Sequence, residues 1–240
     1  AMLLKGDGTL WWTGATNLGI REALKRAGPG DYVLTLNNDT ILPADYFETL
    51  DREIERHPHA LIGSVALDND NPDRIVEAGV HINWFTAKYT YHLKNKSHRE
   101  LLSEGGTSYS PTVLPGRGTA IPVKAFREIG LYDDKLFPHY AADYDFSLRA
   151  KKAGYNLIVS FHLLLYCFPK LSGIADSGER VPVSRAFRSL SSIRSGNNLA
   201  KRFHFAKRHA PRVVLPLFLI ADMLRVTLGT LFKRTTMLSR

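Results

Sequence analysis

Cysteine, leader-like residues and long apolar runs are scarce in this sequence, and each shortage excludes a class of protein. The single cysteine, Cys167, leaves no partner for an intrachain disulfide, which fits a reducing compartment. The opening residues, 1–8, are too few and too polar for a secretory signal peptide, so secretion is not expected. The most apolar stretch, 213–224, is interrupted by Pro216 and Asp222. It falls short of the ~20 apolar residues that a membrane-spanning helix needs.

Acidic residues are almost missing from the C-terminal part of the chain, and this decides what the formal net charge of +9 means. From Arg180 onward, 13 lysines and arginines face one acid, Asp222, so the tail is strongly basic and the remainder is mildly acidic. A nucleic-acid partner is not expected, because aromatic residues are not interleaved with a repeated basic pattern.

The apolar stretch at 213–224 lies between basic residues. They are Lys201, Arg202, Lys207, Arg208, Arg212, Lys233 and Arg234. An apolar helix with basic flanks is typical of a segment that lies in the headgroup region of an anionic membrane. We therefore expect residues 181–240 to form a basic, partly apolar helical tail of a cytoplasmic protein that is peripheral at the inner face of the cell membrane. The alternative is a helix packed on the body with a solvated basic face.

Helical and strand patterns alternate in the first part of the chain. Apolar residues at helical spacing predict a helix over 17–28, and a second helix begins after Pro43 and ends at His57. Strands are predicted at 32–36 and 61–67. Three further elements are predicted, a helix over 123–129, a helix over 143–153 and a strand over 157–167. The order favours an α/β domain over 1–180, with a mostly parallel central sheet flanked by helices.

Asn37, Asn38 and Asp39 follow a predicted strand at its carboxyl end, where α/β sheets bind ligands. A carboxylate there suits a hard divalent ion such as Mg²⁺ or Mn²⁺, and substrate phosphates supply further ligands. The alternative is a plain turn or helix cap.

The segment 32–40, Tyr-Val-Leu-Thr-Leu-Asn-Asn-Asp-Thr, resembles the metal-binding DxD segment of family 2 glycosyltransferases, in the variant whose first acid is Asn. The resemblance implies a GT-A-like fold and a nucleotide diphosphate sugar as donor. It also implies Mg²⁺ or Mn²⁺ at Asp39 and donor contacts from Asn37 and Asn38.

Two further segments resemble parts of the same family, one that faces the donor and one that links the donor half to the acceptor half. Gly14 and Asn17 lie in a Gly-and-Asn segment whose backbone and amide face the donor in the family; the alternative is that Asn17 caps a helix. Arg117, between two glycines, meets a phosphate or acceptor oxygen in this interpretation, or is a surface arginine in a turn. Trp11 and Trp12 are predicted to lie in the core.

The segment 142–149 resembles the family's Glu-Asp-x-Asp motif, which leads into a helix and an arginine. By this match Asp143 is the catalytic base that takes the proton of the acceptor hydroxyl. The alternative is an N-cap residue. Asp145 and Arg149, four residues apart, are expected to pair structurally.

The chain also departs from the family pattern. Ala142 stands where the family has Glu, Cys167 stands where it has a metal-site His, with His162 nearby, and the first strand-helix-strand unit is not recognisable. We expect a metal-dependent, hexosyltransferase-type inverting enzyme. It would move a sugar from a nucleotide diphosphate sugar to a hydroxyl of a glycan or lipid-linked acceptor, in surface polysaccharide or glycolipid synthesis. The alternative is a catalytically impaired homologue that acts as a binding or partner subunit.

Overall fold

A computed structural model describes residues 2–91, 93–169 and 187–232. The helices are α1 (Trp11–Leu24), α2 (Tyr46–Arg56), α3 (His98–Ser103), α4 (Val123–Ile129), α5 (Ala142–Lys152), α6 (Leu199–His209) and α7 (Leu215–Phe232). The strands are β1 (Tyr32–Thr35), β2 (Thr40–Ile41), β3 (Ala60–Asp68), β4 (Asn71–Glu77), β5 (His81–Asn83), β6 (Lys88–Thr90), β7 (Ser108–Tyr109), β8 (Thr119–Pro122) and β9 (Asn156–Cys167). The expected domain boundary at 180/181, Lys233 and Arg234 lie outside the described residues.

A seven-stranded sheet, with β1-β8-β3-β9-β2 as its main order, forms the centre of the described residues. Every residue of β3 is buried, because both faces of this central strand are covered. Side chains alternate across a strand, so Leu61 and Val65 enter one core cluster while Ile62 and Ala66 enter the other. The predicted α/β architecture, with helices on both faces of the sheet and a helical C-terminal region, is confirmed.

The sheet is mixed, which corrects the expected predominance of parallel strands. β3 and β9 run parallel, whereas β8 is antiparallel to both β1 and β3, and β2 is antiparallel to β9. β4 pairs antiparallel with β3, and β7 pairs antiparallel with β9. The order of helices and strands did not reveal this, because several of the antiparallel strands are only two to four residues long.

Helix α1 begins at Trp11, six residues before the predicted start, so Asn17 lies within the helix and does not cap it. The prediction of a core position is wrong for Trp11, which is 39% exposed and lies under the guanidinium of Arg194, 4.9 Å from its ring centroid. Trp12 does pack against the core. The helix after Pro43 is confirmed as α2.

The two tail helices pack on the body. His209 of α6 bonds to the buried carboxylate of Asp145 on α5 at 2.8 Å, and Trp84 stacks against Phe205 and contacts Phe218. Asp222, which interrupts the apolar stretch, is buried and accepts hydrogen bonds from Arg202 of α6. No helix among the described residues is long and apolar enough to span a membrane.

Candidate functional site

Asp39 lies in the turn between β1 and β2, at the edge of the sheet. Its carboxylate accepts a hydrogen bond from Nη2 of Arg117 at 3.1 Å, with 17% of the Asp39 side chain and 4% of the Arg117 side chain exposed. The interpretation of Arg117 as a surface arginine is therefore wrong. The interpretation of Asp39 as a helix cap is also not observed, since β2 follows it.

Arg117 is held by glycines on either side, and both positions exclude a side chain. A Cβ on Gly116 would lie 2.5 Å from the indole of Trp12. Gly118 has φ +69°, and a Cβ there would lie 2.2 Å from Leu165. The loop is also tied to the sheet, because the Gly118 amide donates to Thr35 O at 2.8 Å. This tight loop leads directly into β8.

Asp143 is the second residue of α5, and Ala141, which has φ +70°, occupies the N-cap position. Asp143 therefore is not the N-cap residue. Its Oδ2 accepts from the Gly116 amide at 2.9 Å and its Oδ1 from the Tyr144 amide at 3.0 Å. Burial raises the pKa of Asp143 to about 6, although these amide hydrogen bonds act against the rise.

The glycine loop brings Asp39 and Asp143 together. Consecutive residues of the loop hold them, Gly116 by its amide and Arg117 by its side chain, although 104 positions separate the two acids in sequence. Two carboxylates that are far apart in the sequence thus border one site. Their chemical roles stay predictions.

Sequence reasoning missed Glu77, at the end of β4. Burial raises its pKa to about 7; Arg117 acts against this rise, whereas Asp143 and Asp39 add to it. These charge interactions place Glu77 beside the same cluster. The segment 68–111 showed weak periodicity, so only the acid itself, next to Ala78-Gly79, was available as a signal.

Gly14 and Asn17, which were predicted to contact the donor, instead make contacts within the protein. Asn17 is buried and exchanges two hydrogen bonds with the backbone of Tyr132, at 2.9 and 3.2 Å. Gly14 is buried in α1 against Leu10. Both contacts are structural, so a donor role for Gly14 and Asn17 stays a prediction without a contact that supports it.

Asn37 and Asn38 lie in the turn beside Asp39. Asn37 Oδ1 accepts from the indole Nε1 of Trp12 at 3.3 Å, which links the turn to α1 and to the glycine loop. Asn38 is exposed. A donor role for Asn37 and Asn38 stays a prediction.

The residues around Asp39 do not fit the predicted Mg²⁺ or Mn²⁺. Among the described residues, no three His, Cys, Asp or Glu side chains are grouped so that they could hold a metal ion. Arg117 donates a hydrogen bond to the carboxylate of Asp39, and Trp12 donates one to the amide oxygen of Asn37, so both oxygen groups already have a partner. Cys167, paired with Thr40 across β2 and β9, is a buried thiol and a poor ligand for a hard cation.

His162 does not take the place of the family's histidine. It lines a cleft of about 350 Å³ with residues of α2, among them Glu53 and Arg56. Its side chain therefore belongs to a different surface from Asp39.

The predicted structural pair of Asp145 and Arg149 is confirmed. Arg149 Nε donates to Asp145 at 2.8 Å, and its other nitrogens donate to Ile129 O and Leu131 O. Asp145 is fully buried and also bonds to Arg208 and His209. This network orients the start of α5, which carries Asp143.

Comparison with known proteins identifies the family of this chain. The solved structure of GalNAc-T7 with UDP, GalNAc and Mn²⁺ matches with a TM-score of 0.52 and 12% identity, over 97% of this chain and 45% of that chain. The dTDP-rhamnosyl transferase RfbF of Shigella flexneri is 20% identical over 198 residues, which are 79% of this chain and 60% of the relative. The chain thus spans at most about 60% of these relatives. Because the model of the glycosyl transferase family group 2 matches residues 32–192, well over half of the sequence, the chain belongs to that family.

Proposed function

We propose that this chain takes part in inverting transfer of a sugar from a nucleotide diphosphate sugar to an acceptor hydroxyl. The observation that carries the proposal is the glycine loop that holds Asp39 and Asp143 through consecutive residues. The family match supports it, and the similarity to the dTDP-rhamnosyl transferase of Shigella supports a sugar nucleotide as donor. The proposed product is a cell-surface polysaccharide or glycolipid, with a glycan or lipid-linked acceptor.

In the proposed reaction Asp143 removes the proton of the acceptor hydroxyl while its oxygen attacks the anomeric carbon. The new carbon–oxygen bond forms as the bond to the diphosphate breaks, and the electron pair leaves with the diphosphate. One displacement inverts the anomeric configuration. With its pKa raised to about 6, Asp143 is mostly ionised at neutral pH and is more basic than an ordinary aspartate.

Two amide hydrogen bonds keep the base in place. One oxygen of Asp143 is held by the glycine loop and the other by the start of α5, so the carboxylate has little freedom to rotate. The loop also contains Arg117, and any movement of the loop moves the base and the guanidinium together. The positions of Asp143 and Arg117 are therefore coupled through the glycine loop.

A transfer assay tests the proposal. The chain is incubated with a panel of nucleotide diphosphate sugars that includes a dTDP sugar, together with candidate hydroxyl acceptors, and NMR reads the anomeric configuration of any product. We expect a product of inverted configuration. A product of retained configuration would contradict direct displacement by the acceptor.

The second candidate function is that of a catalytically impaired homologue that binds a donor, acceptor or partner. One observation favours it, namely the buried Ala142 where the family motif has Glu beside the base. Calorimetry separates the candidates when combined with the transfer assay. Donor binding with no turnover for any sugar on the panel supports the second function.

We also propose that α7 holds the protein against an anionic membrane. Phe218, Asp222 and Val226 on one face of this helix pack inward. The opposite face leaves an apolar stripe outward, continued by Val213 two residues before the helix; the stripe consists of Val213, Leu217, Ile220, Leu224 and Leu228, all at least 43% exposed. The alternative of a solvated basic face is not observed on this helix, because its outward positions are apolar. Arg202 and Arg225 turn inward to Asp222 and stack on Tyr89.

Charge supports a membrane as the occupant of this stripe. Lys207 and Arg212 are exposed just before α7, and Asp222 is buried, so the described surface of α6 and α7 carries no exposed acid. An apolar face beside unopposed cations matches an anionic lipid surface. This arrangement supports a peripheral protein at the inner face of the membrane.

Vesicle flotation tests the membrane proposal. We expect the chain to float with phosphatidylglycerol vesicles and to stay behind with phosphatidylcholine vesicles. A double Leu217→Glu and Ile220→Glu variant should not float, whereas Phe47→Glu, which changes a 60% exposed residue on α2, should float normally. Flotation of the double variant at the normal level would refute α7 as the contact.

A further inference from the structure

We propose that Arg117 holds the diphosphate of the donor in the position predicted for a divalent cation, so that this chain binds a diphosphate without metal. The inference rests on the proposed function for the identity of the anion. It concerns one residue of the site, and its test is a binding measurement that does not depend on sugar transfer.

The guanidinium of Arg117 already bonds to the carboxylate that was predicted to bind the metal. Arg117 Nη2 lies 3.1 Å from Oδ2 and 3.4 Å from Oδ1 of Asp39. A cation at Asp39 would have to displace this charge-assisted contact. It would also lie beside a fixed positive charge, and two cations repel strongly in a poorly solvated site.

The same guanidinium has hydrogen-bond donors that no acceptor in the described residues uses. Nε and Nη1 of Arg117 are buried and have no hydrogen-bond partner among the described residues. A buried N–H group without an acceptor is costly, and a buried charge is more so. Guanidinium N–H groups donate charge-assisted hydrogen bonds to phosphate oxygens. An anion that enters beside Asp39 would therefore satisfy donors that the protein leaves open.

The glycine loop holds Arg117 in a fixed position. Gly116 and Gly118 allow the loop to pass so close to Trp12 and Leu165 that no side chain fits at either position. The Ser64 hydroxyl donates to Gly118 O at 2.8 Å and fastens the loop to β3. A loop tied down in this way presents Arg117 in one orientation.

Neighbouring carboxylates affect how well an anion binds. Asp39, Glu77 and Asp143 all interact electrostatically within this cluster, and Lys94 adds a second positive charge near Glu77. Because burial raises the pKa of Glu77 to about 7, this acid carries a proton for part of the time at neutral pH. The cluster is then less negative than its composition suggests.

Calorimetry with inorganic pyrophosphate, and in parallel with dTDP and UDP, tests the inference in EDTA and in excess Mn²⁺. We expect pyrophosphate binding in EDTA that Mn²⁺ does not tighten. Arg117→Gln should weaken it by about tenfold to a hundredfold, the range for lost charge-assisted hydrogen bonds, and Arg117→Lys should weaken it less. Binding that requires Mn²⁺, or that is normal in Arg117→Gln, would overturn the proposal.

A second variant keeps the test decisive if Arg117→Gln does not fold. Asp39→Asn changes a partly exposed turn residue and releases the guanidinium from its carboxylate. We expect equal or tighter pyrophosphate binding in EDTA. If Asp39 instead anchors a metal, this variant loses Mn²⁺-dependent binding, and the proposal fails. Sugar transfer that fails while pyrophosphate still binds refutes the proposed function and leaves this inference standing.

Discussion

Replacing Asp145 with Asn should strongly destabilise the protein, because one buried carboxylate joins α5 to α6. Asp145 is fully buried and accepts hydrogen bonds from Arg149 at 2.8 Å, Arg208 at 2.9 Å and His209 at 2.8 Å. Asparagine keeps one acceptor oxygen but removes the negative charge. The two arginines would then face a neutral group in a site without solvent on the carboxylate side.

The pKa of Asp145 gives the size of this effect. Burial alone would raise the pKa, but the bonds from His209 and Arg149 outweigh burial and lower it from 3.8 to about 2. A difference of roughly two pKa units corresponds to about 2–3 kcal/mol in favour of the folded state when Asp145 is ionised. Stranding the arginines adds to this, so we expect a loss of about 2–5 kcal/mol for Asp145→Asn.

Urea unfolding at pH 7 measures this loss, with Asp51→Asn as the control. Asp51 is exposed on α2, so its variant should unfold at the normal midpoint. The folded pKa lies below the unfolded one, so the stabilisation is complete above about pH 4 and disappears as the pH falls towards 2. A loss below about 1 kcal/mol for Asp145→Asn would refute the argument that this carboxylate joins the tail to the body.

Two further predictions concern the site. The transfer rate should rise with pH and level off above an inflection near pH 6, because Asp143 must be ionised to accept a proton and burial raises its pKa to about 6; a pH-rate profile without an inflection between pH 5 and 7 would argue against this base. Gly118→Ala should cost about 2–4 kcal/mol of stability in urea unfolding, because the new Cβ would need a positive φ and would lie 2.2 Å from Leu165. Gly19→Ala, an open position in α1, is its control, and equal midpoints for the two variants would contradict the close packing of the loop.

Local pattern was enough to predict much of the fold. The helices α2, α4 and α5 and the strands β3 and β9 were predicted within one or two residues, because each combines a clear apolar period with a Gly or Pro boundary. The start of α1 was missed because Trp11 and Trp12 do not continue the apolar period of the later turns. The direction of paired strands was also missed, since strand pairing is a long-range property that no local pattern encodes.

The site could be predicted only in part for a related reason. Motif resemblance selected Asp39, Arg117 and Asp143, and the structure brings these three together. It did not reveal that Arg117 pairs with Asp39, because a bond between residues 78 positions apart depends on the shape of the glycine loop. Glu77 was missed because it ends a strand in a segment without clear periodicity.

The tail shows how one sequence feature can have two consequences. Asp222 lowered the apolarity of the stretch at 213–224 and argued against a membrane span. In the structure Asp222 accepts hydrogen bonds from Arg202 of α6 and from Arg225, so it ties α7 to α6. The residue that interrupts the apolar stretch is thus the one that docks the helix.

The most direct test of the central claim is the transfer rate of Asp143→Asn, measured beside its binding of pyrophosphate, with Asp51→Asn as the control. We expect transfer to be at least ~100-fold slower for Asp143→Asn, since a positioned general base contributes about 10²–10⁴-fold, while pyrophosphate binding stays normal. Normal transfer by Asp143→Asn would show that Asp143 is not the base that accepts the proton.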